Sequence, residues 1–462
     1  MYFVVEKEQD FEQLKEMGEV YPCFVELVTT NDCYHPKLTR LVAVYVRPVR
    51  EDETDPRTGE VVDKAEGYII PVSHDDGLNV SREKVLEILN SFSEVWVLNK
   101  KAFLYHFNLK VPVHDLSLKY AMTFYQKLDV AVRETTSEWF YIRYRTLENV
   151  NQVIPIVKLY ERCEELFVKI EKYLKLENPE GFEFYDNLAT KLYFLVEQEG
   201  IRVDVHEFKE RFRVEVPSFS VDGETVYTNY NLYNATSRPT NAFNSVNFLA
   251  IPKGKEFRRC WKPSNDEFVE FDFDGYHVRL ISELVGYPIS CEEKAHKILA
   301  KLRTGKTEFT EEEYAQIKAE NFKMIYGSPS DEDAKLELSQ KIQAKISELW
   351  KEFQTEGRII NKESGKTFCK KYLEDMYPNK LFNYLVQSLE TSRNIKVLGK
   401  VLKYLARGHF KSKVILITYD SFLIDYAKSD GEEVLNEIRE LMEAGTVKYP
   451  VSLKRSQDLN FK

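Results

Sequence analysis

Cysteine is scarce and unordered in this chain. Six occur in 462 residues, at positions 23, 33, 163, 260, 291 and 369, with no CxxC pair. That spacing excludes a disulfide frame and a zinc ribbon and points to reduced thiols. No apolar run reaches the roughly 18 residues that a membrane span needs, so no membrane role is expected. Glycine and proline are few, 18 and 16, which excludes collagen-like and low-complexity chains. An excess of basic charge is missing too. Sixty-five Lys and Arg against 75 Asp and Glu give a net charge of −10, so bulk charge argues weakly against nucleic acid. The opening MYFVVEKEQD has acids where a secretory leader carries bases, and the expected location is cytoplasmic.

What remains is an ordinary globular mixture, 43% hydrophobic and 30% charged. Its length exceeds what one core usually holds, so two or three domains are expected. PCFVELVTT and LTRLVAVYVRPV read as a Val-rich hairpin, followed by a charged insert, a short helix at SREKVLEILNSF and the apolar run EVWVL. Residues 147–174 carry a long amphipathic helical pattern, interrupted near Pro155. A second helix ends at Gly200, IRVD follows as a strand, and 218–252 is turn-rich. The basic cluster Lys253, Lys255, Arg258, Arg259 and Lys262 reads, alone, as a solvated loop.

Three segments carry candidate chemistry. In VEFDFDGYHVRLISELVG, alternation sets Glu270, Asp272 and Asp274 on one strand face, and a helix with Arg279 follows. In KVILITYDSFLIDY, Asp420 sits at a hairpin tip between apolar strands. In TEEEYAQIKAENFKMIYG, Thr310 and Glu313 form a capping box. Lys318, Phe322 and Tyr326 then share one helical face, and Gly327 stops the helix. Each piece alone reads as a turn former, a cap or packing.

In this order the pieces resemble the polymerase domain of family A DNA polymerases, the class of bacterial DNA polymerase I and many phage replicases. NATSRPTNAFNSVNFLAIP is similar to that family's arginine loop, with Arg238 on its arginine, and NYLVQSLE to its Asn-xxx-Gln helix, with Asn383 and Gln387. The resemblance covers about residues 195–462. It implies an α/β (α+β) right hand of palm and fingers behind an N-terminal ribonuclease H-like, exonuclease-type domain. The expected divisions are 1–150 exonuclease-like; 151–235 helical connector, start of the palm and reduced thumb; 236–288 palm; 289–380 fingers; and 381–462 palm.

The implied function is template-directed addition of dNMPs to a primer 3′ end, with primer-template DNA and dNTPs as partners. The implied phage setting would place the chain in a host cytoplasm. Two Mg²⁺ ions about 4 Å apart would be held by Asp272, Asp420 and the Phe273 backbone carbonyl. Lys318, Phe322, Tyr326 and His277 would meet the dNTP, with His277 at the family's sugar-contacting position. Arg238, Asn383, Gln387 and Arg279 would meet DNA, Arg279 as a structural or primer-side residue. The sequence departs from the family at Tyr314, where a triphosphate-binding arginine is usual, and at Tyr419-Asp420-Ser421, usually His-Asp-Glu.

The N-terminal resemblance places Glu26 and Val28 on the exonuclease carboxylates, with Phe103 at a third and Glu148 at a fourth. Such a set does not bind two metals, so the domain is expected to be scaffold without proofreading. The segment after Asp204 is too short for a thumb of two helices of about 15 residues each. Either the thumb is missing or helices from 147–200 do its work, and a processivity or replisome partner is expected to supply hold. A single-subunit RNA polymerase would be much longer. The alternative is a non-catalytic polymerase-fold subunit of a replisome, which would not need Asp272, Asp420, Lys318 and Tyr326 together.

Incubation of the purified chain with a mismatched primer terminus and Mg²⁺ should therefore leave the 3′ end intact. Trimming that disappears in Glu26→Ala would show the opposite.

Overall fold

Val-rich alternation produces the expected antiparallel pair of β1 (Cys23–Thr29) and β2 (Leu41–Pro48), with Val25 opposite Val46 and Glu26 opposite Tyr45. The computed structural model describes all residues except 1–3, 6–7, 31–34, 55–60, 64, 77, 131–149, 213–220, 242–245, 252–254, 288, 327–328, 446–447 and 462. Cys33, Glu148, Lys253 and Gly327 thus lie outside the described residues. The hairpin grows into a five-stranded mixed sheet by adding β3 (Tyr68–Pro71), β4 (Val95–Val97) and β5 (Val113–Asp115), in the order β3-β2-β1-β4-β5. β4 runs parallel to β1 and to β5, whereas β2 is antiparallel to both its neighbours. Both faces are covered, which is why these strands are mostly apolar, Glu26, Arg47, His114 and Asp115 apart, rather than alternating.

One cover is α1 (Ile156–Leu174), which begins just after Pro155, where the break was expected. Its buried stripe of Ile156, Leu159, Tyr160, Cys163, Leu166, Phe167 and Ile170 repeats at three and four residues and lies on the sheet. Phe167 meets Phe24 at 5.9 Å and Tyr160 meets Tyr45 at 6.2 Å between ring centres. Glu164 anchors the helix, accepting from the Tyr45 hydroxyl at 2.6 Å and the Gly67 amide at 2.9 Å. The next helix, α2 (Thr190–Glu197), buries Leu192, Tyr193 and Val196 between this unit and the C-terminal half. The buried stripes of these helices lie in the core, where they join the two halves. Between Asp204 and Arg238 the described residues provide one helix of eight residues, Val205–Phe212, capped by the Asp204 carboxylate on the Glu207 amide.

The C-terminal half is built on four antiparallel strands in the order β7-β8-β6-β9: β6 (Glu267–Phe273), β7 (Lys413–Thr418), β8 (Ser421–Tyr426) and β9 (Val451–Ser456). β6 is central, with Phe268, Val269 and Phe271 fully buried, each contributing about 1.5–3 kcal/mol. The edge strand β9 was not anticipated. Its VSLKRS carries Lys454 and Arg455, and only Val451 is buried, so no apolar period marks it. The hairpin of Arg358–Ile360 with Thr367–Cys369 was likewise missed. Across the sheet lie α3 (Tyr276–Leu284) and the 30-residue α5 (Pro378–Arg407), while α4 (Glu311–Ile325) stands off to one side.

Buried charges staple the halves. Lys101, 5% exposed, is paired with Glu197, 1% exposed, and Lys100 Nζ reaches Asp186 at 2.9 Å. Tyr233 donates to Asp115 at 2.8 Å, and His114 Nδ1 lies 3.0 Å from Asp186. Such pairs add little net stability but are costly to break, because the survivor is left charged and dry. Lys101→Met should therefore cost about 3–5 kcal/mol in denaturant unfolding. Adding Glu197→Leu should recover most of that loss, and a silent single variant would contradict the staple.

Candidate active site

Asp272 is the last inward-turned carboxylate of β6, paired across the sheet with Ser421 on β8 and Ser452 on β9. The β7–β8 turn places Asp420 beside it, and the Asp420 carbonyl accepts from the Phe273 amide at 3.0 Å. Tyr419, just before Asp420, has φ +55°, a left-handed conformation that a bulky residue adopts only when its surroundings hold it there. The holders are visible. Asn394 of α5 donates to the Tyr419 carbonyl, and the Arg238 guanidinium lies 3.8 Å above its ring.

Asp274 departs from the expected alternation. It turns off the Glu270–Asp272 face, and its Oδ2 accepts from Arg279 at 2.7 Å and from the Ala295 amide at 2.7 Å. Gly275 makes this reversal possible at φ +54°, where a Cβ would come 2.7 Å from the Ala295 Cβ. Arg279 is 4% exposed, with its guanidinium donating to Asp274, Ser290 and Glu293. Of its two expected roles, DNA contact is set aside and the structural one is what the geometry describes.

Two carboxylates this close oppose each other's charge. Burial first, then the charges of Asp420 and Glu270, push Asp272 up to about 7. Asp420 is also raised, by burial and then by Glu390. Neither carboxylate has an ion-pair partner among the described residues. Lys454 and Lys318 are the cations that pull Asp272 back down, which sets Lys318 of α4 across from the pair.

α4 begins with the expected capping box, Thr310 Oγ1 accepting from the Glu313 amide and Glu313 from the Thr310 amide. Lys318 and Phe322 are exposed on its open face, and Phe322 stacks on Tyr326 at 6.2 Å. Tyr326 caps the helix, and its hydroxyl bonds His277 Nδ1. His277 Nε2 lies 3.0 Å from Glu390 Oε1, and Arg238 Nε lies 2.8 Å from Glu390 Oε2. The loop, α3, α4 and α5 thus meet at one buried carboxylate.

On α5, Asn383, Gln387, Glu390 and Asn394 fall at i, i+4, i+7 and i+11, one polar stripe along the helix, with Glu390 and Asn394 buried. Asn383 Oδ1 is buried with no protein partner among the described residues. Glu390 and Asn394 went unremarked in the sequence. The signal was there, since both continue the spacing of Asn383 and Gln387. From the basic cluster, Arg258 is turned inward onto the Leu459 and Ile251 carbonyls.

In the N-terminal sheet, Glu26 and Phe103 line a cavity of about 370 Å³ with His106 and Asn151, while Val28 points into the core. Burial pushes Glu26 up to about 7.

No protein-family model matches the chain, and no curated protein matches it. Among solved structures it is similar to the POL domain of Pol1 from M. smegmatis, in complex with DNA primer-template and dNTP. The TM-score is 0.67, the identity 12%, and the match covers 99% of each chain. The chain therefore has the fold of a DNA polymerase domain. That likeness runs through the N-terminal sheet as well as the C-terminal half.

The raised carboxyl gives a stability test in metal-free solution. Unfolded, Asp272 ionises near its ordinary value of 3.8; folded, it does so near 7. The folded state thus holds the extra proton between those values, and stability is lost as pH rises through them. Asp272→Asn should raise the melting temperature by a few degrees at pH 8 and leave it unchanged at pH 3. Equal effects at both would contradict the assignment.

Proposed function

We propose that this chain is a template-directed DNA polymerase that adds dNMPs to a primer 3′ end. One observation carries the reading: an unpaired Asp272–Asp420 couple faces the exposed Lys318 and Phe322 of α4, on a polymerase-domain fold. Phosphoryl transfer asks for charge neutralisation and in-line placement more than for covalent help, and this is a site built for charge.

The donor set suits Mg²⁺. Among the described residues no cluster of three or more His, Cys, Asp or Glu could cage an ion. Two carboxylates and the Phe273 carbonyl are what an ion that keeps waters and shares substrate phosphate oxygens requires. Two such ions, when bound, would neutralise the reacting phosphate and sharpen the 3′-hydroxyl as a nucleophile. The chain's own residues do the rest. Lys318 meets the triphosphate as a point charge. Phe322 offers its exposed ring to the base, and Tyr326 with His277 closes the floor beneath the sugar. Arg238, Asn383 and Gln387 border the side where primer and template would lie, positioning without reading sequence.

The reading extends to an enzyme without proofreading, working in phage genome replication. The Glu26 carboxyl, raised by burial and the one carboxyl among the described residues that line this cavity, supports the first, with Phe103 beside it and Val28 in the core. The departures at Tyr314, His277 and Ser421 support the second. With one eight-residue helix among the described residues between Asp204 and Arg238 and a net charge of −10, hold on the duplex falls to a partner protein or to the helical region 147–200.

Asp420→Asn should lower single-nucleotide addition by about 10³-fold while primer-template affinity stays within about twofold. Near wild-type turnover in the variant would refute the two-carboxylate chemistry. A wild-type chain that binds primed DNA without extending it would favour the replisome-subunit alternative.

A further inference from the structure

Glu390 is 2% exposed in the middle of α5, yet its carboxyl is shared between Arg238 and His277. Arg238 Nη2 donates to its Oε1 at 3.2 Å, and Arg238 Nε sits 2.8 Å from its Oε2. His277 Nε2 lies 3.0 Å from Oε1, with the His277 side chain 10% exposed. The contact is close without hydrogen-bond geometry, and since a carboxylate only accepts, it favours a ring that carries its proton on Nε2. In the neutral ring the other nitrogen, Nδ1, is then the acceptor for the Tyr326 hydroxyl that bonds it. One buried carboxylate therefore lies against both Arg238 and His277, and His277 in turn bonds Tyr326.

The second arm reaches the catalytic hairpin. Arg238, held by Glu390, covers the ring of Tyr419, whose left-handed backbone precedes Asp420. One turn further along α5, Asn394 holds the Tyr419 carbonyl. Burying a charge among two partners adds little to stability, so its value lies in specifying geometry.

We propose that Glu390 is the positioning residue of the nucleotide pocket, orienting His277 and Tyr326 beneath the incoming sugar while steadying Arg238 over the hairpin. This rests on the polymerase reading of the same site. It names a residue outside the metal couple and outside the α4 stripe. Without the carboxylate, the His277 ring turns freely, the floor loosens, and a 2′-hydroxyl is no longer refused.

The test compares wild type with Glu390→Gln, Glu390→Asp, His277→Ala and the Gln/Ala double variant. Calorimetry measures dNTP and rNTP binding to each protein with primer-template, and single-turnover assays measure incorporation with Mg²⁺. Glu390→Gln should weaken dNTP binding about tenfold and cut the deoxy-over-ribo preference about tenfold, while the maximal rate stays within about threefold. Adding His277→Ala should cost less than about a further twofold in preference, because the two act as one unit. Glu390→Asp keeps the charge and should recover part of the preference, and it carries the test if the Gln variant does not fold.

Unchanged binding and preference in Glu390→Gln, or losses that multiply in the double variant, would overturn the proposal. The two readings separate cleanly. Glu390-dependent sugar preference without incorporation would remove the polymerase assignment and leave the positioning role. Incorporation with indifferent Glu390 variants would do the reverse.

Discussion

The pairing of β6 with β8 is the constraint on which the rest of the structure turns. Its register, Asp272 opposite Ser421, brings the end of one strand and the tip of a hairpin to the same point. Two carboxylates are thereby held together against their own repulsion, in a place where burial makes that repulsion stronger. A fold whose only requirement was stability would separate them. The surrounding elements instead keep them in place: Asn394 ties the hairpin tip, Arg238 covers Tyr419, and Gly275 lets the chain leave β6 without carrying Asp274 into the couple.

The support runs outward from this point. α5 carries Asn383, Gln387, Glu390 and Asn394 on one stripe, so a single 30-residue helix faces the couple, the arginine loop and the pocket floor together. α2 and the Lys100 and Lys101 ion pairs join that assembly to the N-terminal sheet. That sheet contributes a cavity lined by Glu26 and Phe103, with Val28 packed in the core.

Much of this was legible in the amino acids, for physical reasons that differ by element. β1, β2, β7 and β8 announced themselves because strands buried on both faces are mostly apolar. The start of α4 was marked by Thr310 and Glu313, whose reciprocal capping is a purely local interaction. Asp272 and Asp420 were found because each ends an apolar strand, in a meaningful order with Lys318 between them. What stayed hidden depends on tertiary partners. β9 has no apolar period, since an edge strand with Lys454 and Arg455 draws its pairing from the neighbour. Arg279 looked available until Asp274 turned to meet it. Glu390 continues the spacing of Asn383 and Gln387, but its partners stayed hidden, 152 residues upstream in Arg238 and more than a hundred in His277.

The most direct test of the account is extension of a defined primer-template by the purified wild-type chain, with each dNTP supplied singly, in Mg²⁺ and in EDTA. Addition of only the nucleotide complementary to the template base, present with Mg²⁺ and absent with EDTA, is the result the account predicts. Tight binding of the primed DNA with no extension under any of these conditions would contradict it.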